Sequence, residues 1–233
     1  AVVDRAGKLL AHVGDVDYPI FTRSALKPLQ ALPLIANPKF AEFGLTSAEI
    51  AFLCSSHNGE AIHADTAARL LAKVGLTDSA LQCGNHAPYW YKWNNGTPEP
   101  GKRWSSLFHN CSGKHSGMLL HAKLLAAESS TYLEPDHPAQ RLIREAVAYA
   151  CGEADPAKMA WGTDGCSAPN FAVSLRGLAR AFAWLTNAED DARYGGAPRI
   201  LFDAMSTHPE MVSGEGRNDL ALAQAGRGDW ANK

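Results

Sequence analysis

Arg23-Ser24-Ala25-Leu26-Lys27-Pro28-Leu29-Gln30 places a hydroxyl and an amine three residues apart at the mouth of an apolar run. On a helix, residues three apart share a face, so the Lys27 amine can reach the Ser24 oxygen. A serine hydroxyl is a poor nucleophile until a neighbour takes its proton, and a lysine does this only when neutral. Leu26 and Leu29 flank Lys27, and burial among them would lower its pKa by disfavouring the ammonium. Pro28 is tolerated in a first helical turn and biases Lys27 away from helical angles. The helix should therefore begin near the pair, with Ser24 at or before its first turn. A Ser-x-x-Lys match also arises by chance, so other parts of the chain must support it.

Composition narrows the class. With 233 residues, 46% of them hydrophobic, the chain can bury a full core and is expected to be one globular domain spanning 1–233, or one and a half. A formal charge of −2 without any cluster of lysine and arginine argues against a nucleic-acid partner. No apolar stretch approaches the roughly eighteen residues of a membrane helix, and no signal peptide is expected ahead of Ala1. The five cysteines, Cys54, Cys83, Cys111, Cys151 and Cys166, are odd in number and widely spaced, unlike a secreted disulfide framework. A reducing cytoplasm is the expected location. The chain opens without Met and stops at Lys233 just after a glycine-rich turn, so either end is expected to be incomplete.

Outward from the Ser-x-x-Lys stretch, Val2-Val3 and Leu9 to Val13 read as a hairpin around Asp4 to Gly7. An apolar helix over 29–35 is expected to be interrupted or to end near Pro33. Thr46 and Glu49 have capping-box spacing ahead of a short buried element. That element leads into Cys54-Ser55-Ser56-His57-Asn58-Gly59-Glu60, a small polar cluster of the kind that lines sites or merely caps the next helix. Ala67, Leu70, Leu71 and Val74 recur at helical spacing and Gly75 stops that helix. Residues 84–107 read as an irregular, lid-like loop. Its Tyr89-Trp90-Tyr91 cluster would stack on a ligand or pack at the surface or a subunit contact.

Phe108 to Met118 crowds two glycines with His109, Asn110, Cys111, Ser112, Lys114, His115 and Ser116, ahead of a helix expected over 119–127. Core packing does not need such residues. A thiolate with a nearby imidazole suits zinc, and Cys111 with His115 or His109 is the first reading of the residues themselves. Ser112-Gly113-Lys114 matches half of a phosphate loop but lacks its first glycine. Asp136 and Pro138 start a helix ending at Gly152. A strand at 159–161 then feeds the polar stretch 162–170, and a following helix is expected to carry Phe171, Leu175, Leu178, Phe182 and Leu185 on one stripe. Ile200 to Met205 supplies another helix, followed by a glycine-rich turn at 211–219.

Four separated stretches together resemble the Rhizobium etli type of L-asparaginase: 23–30, Ser-Ser-His-Asn-Gly-Glu at 55–60, His-Asn-Cys-Ser-Gly-Lys-His-Ser-Gly-Met at 109–118, and Asp-Gly-Cys-Ser-Ala-Pro at 164–169. The resemblance implies an α/β (α+β) fold similar to the serine beta-lactamases and penicillin-binding proteins, an antiparallel sheet with packed helices, in which a Ser-x-x-Lys pair is nucleophile and base. It assigns Ser24 and Lys27 to that pair, and Ser56 and Lys233 to a second serine and lysine. It assigns Arg23, Asn58 and Asp164 to substrate binding, with Arg suited to an α-carboxylate and Asp to an α-ammonium. It also implies a zinc ion on Cys111, Lys114 and Cys166, with His115 as second choice, and a homodimer acting on L-asparagine.

The expected reaction is hydrolysis of L-asparagine to L-aspartate and ammonia through an acyl-enzyme on Ser24 or Ser56, with backbone amides near the nucleophile holding the oxyanion. Two alternatives compete: a beta-lactamase-like amidase or peptidase, and a non-catalytic zinc-stabilised binding module.

Overall fold

The computed structural model describes residues 1–226. Lys233 lies outside them. Near the amino terminus, β1 (Val2–Val3) and β2 (Leu9–Ala11) form the expected antiparallel hairpin. Next come β3 (Pro19–Phe21), a single 3-10 turn over Arg23–Leu26, and α1 (Lys27–Ile35).

Every residue of α1 is buried, because the helix packs against α5 (Ser112–Leu124), α6 (Pro138–Cys151) and α8 (Ala197–Thr207). Pro33 sits inside α1 without ending it. A proline there forfeits the bond to the carbonyl four residues back. Burying Leu26, Leu29 and Leu32, each at most 2% exposed, returns about 2 kcal/mol per side chain and outweighs that loss.

α2 (Ser47–Leu53) starts with the full capping box: Thr46 accepts from the Glu49 amide, and Glu49 accepts from the Thr46 amide at 2.9 Å. α3 (Ala61–Ala72) follows the 54–60 loop. The 84–107 stretch holds the single helical turn α4 (Trp90–Trp93) and the start of a 3-10 turn at Ser106–Phe108, and its remaining residues run irregularly as expected.

Two expectations are corrected downstream. α5 begins at Ser112, seven residues ahead of the expected start, so the polar stretch is the first turns of a helix rather than a loop before it. Gly113 and Gly117 are weak helix formers, but they allow α5 to lie directly on Phe52 and Leu53 of α2, and this packing outweighs propensity. The second correction concerns 162–170, which turns between β4 (Trp161–Thr163) and β5 (Pro169–Ser174), an antiparallel hairpin rather than a strand-to-helix junction.

Phe171 is therefore on β5. α7 (Leu175–Asn187) begins only after it, with Ser174 capping the Gly177 amide. β5 is the central strand of a three-stranded antiparallel sheet in the order β3-β5-β4, with Ile20 opposite Val173 and Gly162 opposite Asn170. α8 leads into the short α9 (Pro209–Val212) and then α10 (Asn218–Ala225). The class is thus mixed, with helices packed around small antiparallel sheets. No described helix is long and apolar enough to cross a membrane.

Candidate active site

Four segments converge: the 3-10 turn with the start of α1, the loop after α2, the start of α5, and the turn between β4 and β5. Lys27, the first residue of α1, is fully buried, so its amine needs partners. It donates to the Ser55 carbonyl, lies 2.8 Å from Ser56 Oγ and 3.3 Å from Cys111 Sγ. Among the described residues no hydrogen bond joins it to Ser24. Burial pushes the Lys27 amine below its ordinary pKa, assisted by the Lys114 cation and opposed by Cys111.

Ser24 instead faces an open cleft of about 370 Å³ between Arg23, Asp164, Cys166, Cys111 and His86. Arg23 reaches its place with φ +51, a left-handed angle that costs a non-glycine residue on the order of 1–3 kcal/mol. Its Nε lies 3.4 Å from Asp164 Oδ1, and Lys114 Nζ lies 3.4 Å from Asp164 Oδ2. Burial works against the Asp164 charge, but Lys114 and the Gly165 amide, donating at 2.8 Å, hold its pKa below the usual carboxylate value.

Cys111 and Cys166 come together although 55 positions separate them in the chain. The Cys166 thiol donates to Cys111, which holds Cys111 far below an ordinary thiol while Lys27, His109 and Lys114 add to the effect. As the donor, and being buried, Cys166 is pushed up. Lys114 is buried as well, yet the two sulfurs and Asp164 outweigh the burial and raise its pKa.

The other candidates are placed differently. Asn58 is fully buried, and its amide donates 2.6 Å to the Glu215 carbonyl rather than lining the cleft. His115 is fully buried beneath the site, with Nδ1 2.6 Å from the Tyr132 hydroxyl, and burial holds it neutral. The Ser56, His57 and Asn58 amides are spent on Val212, Asn110 and Ser213 carbonyls at 2.9, 3.2 and 2.8 Å. Trp90, Tyr91, Trp104 and Phe108 line a separate cleft of about 300 Å³ with Glu60, and none of the assigned site residues lies in it. His57 and Ser112, to which the sequence alone assigns no role, meet at 2.9 Å between the 54–60 loop and the start of α5.

Among the described residues, no group of three or more His, Cys, Asp or Glu is arranged to hold a metal. The cluster at the cleft consists instead of two cysteines, a lysine and an aspartate.

A charged polar cleft backed by a buried lysine against a serine is the equipment of an amide-cleaving enzyme. The family model described as L-asparaginase II matches residues 1–233, the whole chain, and the chain belongs to that family. It is thereby an amidohydrolase of the L-asparaginase kind, with a small-molecule substrate. No individually curated protein matches the sequence.

Proposed function

We propose that the chain hydrolyses L-asparagine through an acyl-enzyme in which Lys27 activates Ser56. The observation that carries this reading is the 2.8 Å separation of Lys27 Nζ and Ser56 Oγ, inside the range for proton transfer, at an amine whose burial favours the neutral form. A neutral lysine has two N–H donors and one lone pair. The donors fit the Ser55 carbonyl and Cys111 Sγ, which leaves the lone pair for the Ser56 hydroxyl.

The atoms then balance. Ser56 Oγ gives its proton to Lys27 Nζ and bonds to the side-chain amide carbon, and the C–N bond breaks as Lys27 returns the proton to the departing ammonia. Water next loses a proton to Lys27 and attacks the ester, and Ser56 recovers its proton as aspartate leaves.

Arg23 and Asp164, paired at the cleft, match a zwitterionic head group: the guanidinium takes the α-carboxylate and the carboxylate takes the α-ammonium. Ser24, on the same wall, contributes a hydroxyl to the bound substrate. The fold is read as beta-lactamase-like, on the strength of the Ser-x-x-Lys position at a helix start.

Zinc fits the donor set of Cys111, Cys166 and Lys114, two soft sulfurs and an amine in one buried cluster, provided the ion displaces the proton that the sulfurs and Asp164 otherwise hold on Lys114. When bound it would supply a fixed positive charge tying the start of α5 to the β4–β5 turn. The assembly is read as a homodimer in the cytoplasm.

The test is ammonia release from asparagine by Ser56→Ala and Lys27→Met. Loss of about a thousandfold or more in kcat for both supports the reading. Near-normal turnover by either variant removes it. Acylation by a penicillin analogue instead would favour a beta-lactamase-like amidase.

A further inference from the structure

Ser56 and Cys111, the two side chains that meet at the Lys27 amine, are each followed in sequence by a residue that bonds the other's neighbour. His57 is fully buried, with its ring stacked on Phe52 at 5.1 Å and on His63 at 4.5 Å between centroids. The Gly59 amide donates to His57 Nδ1 at 2.9 Å. This bond fixes the tautomer, because an Nδ1 that accepts leaves the proton on Nε2. Nε2–H then donates to Ser112 Oγ at 2.9 Å, and the Ser112 hydroxyl donates onward to the Leu107 carbonyl at 2.9 Å. Each donor has its acceptor and the chain runs in one direction.

The contacts close a ring: Lys27 to Ser56, along the backbone to His57, across to Ser112, back along the backbone to Cys111, and so to Lys27. The 54–60 loop has no regular structure of its own, so the spacing of the Ser56 hydroxyl from Cys111 depends on such cross-links. A shift of about 1 Å in a reacting pair costs on the order of a hundredfold.

We infer that His57 and Ser112 are a positioning pair for the reaction, holding Ser56 Oγ at proton-transfer distance from Lys27 without touching substrate. The inference rests on the proposed Lys27–Ser56 chemistry.

Steady-state kinetics on folded protein, checked by near-ultraviolet circular dichroism, tests it with three variants. Ser112→Ala removes the acceptor. His57→Asn keeps an acceptor for Gly59 on a side chain too short to reach Ser112, whereas His57→Gln keeps a donor that reaches Ser112. Ser112→Ala and His57→Asn should each lower kcat by about tenfold or more with KM within about threefold, and His57→Gln should recover most of the loss. The inference is overturned if Ser112→Ala stays within threefold of the parent, or if Asn and Gln at 57 fall equally. Ser112→Ala removes a single oxygen and decides the matter alone if His57→Asn does not fold. Ser56→Ala, assayed alongside, separates the two readings. If it turns over normally, the Ser56 chemistry fails. If it is inactive while Ser112→Ala is unaffected, only the positioning role fails.

Discussion

Gly113 on α5 lies so close to the carbonyl oxygen of Phe52 on α2 that a β-carbon has no room there. This approach sets the height at which Cys111 and Lys114 enter the site. Gly113→Ala is therefore expected to destabilise the protein by about 3 kcal/mol or more, since neither backbone can give way in a packed core. The variant should also lose activity through displacement of Cys111. Urea unfolding measures the first effect, and an unchanged midpoint would show that α5 does not seat on α2 this closely.

How much of this architecture the sequence revealed depends on how local the deciding interaction is. The Thr46–Glu49 capping box, the β1–β2 hairpin and the Gly152 stop of α6 are settled within a few residues, and each was legible. The start of α5 was not, because its glycines are explained only by Phe52 and Leu53 far off in the chain. Pro33 misled for the same reason: the burial that keeps α1 intact comes from other helices. Phe171 matched a helical stripe in spacing alone. At the site, Ser24 and Lys27 are neighbours in sequence, yet the amine meets a hydroxyl 29 residues away. No periodicity predicts such a contact.

Acid should weaken the fold through its buried histidines, His63 and His121 among them. His63 and His121 are held neutral by burial, each with its pKa lowered from 6.5 to about 4. Between those values the unfolded chain binds more protons than the folded one. Their contribution is therefore fully present above pH 6.5 and is lost as pH falls toward 4. Each adds a slope of up to about 1.4 kcal/mol per pH unit. Neither His121 nitrogen has a hydrogen-bond partner among the described residues, so His121→Leu should flatten the slope by one histidine's share. Thermal unfolding from pH 7 to 4.5 checks this, and parallel curves for parent and variant would contradict it.

Arg23 carries both backbone strain and the proposed carboxylate contact, and one substitution separates them. Arg23→Gly relieves the φ +51 strain, so the melting temperature should hold or rise, by about 1 kcal/mol at most in stability. The same change should lower kcat/KM for asparagine about a hundredfold, mainly through KM. A variant that is fully active, or one that is markedly less stable, would argue against this double role.

Metal content gives a separate check on the cysteine cluster. Protein dialysed with zinc should bind about one equivalent, and Cys111→Ser and Cys166→Ser should each reduce that to a small fraction, read by elemental analysis. Equal zinc in parent and both variants would place any metal elsewhere.

The most direct test of the central claim is to acid-quench the enzyme during turnover of asparagine and locate the trapped aspartyl ester by peptide mass spectrometry. The Lys27–Ser56 contact at 2.8 Å predicts the ester on the peptide carrying Ser56, and none in Lys27→Met. An ester on Ser24, or turnover without any ester, would contradict it.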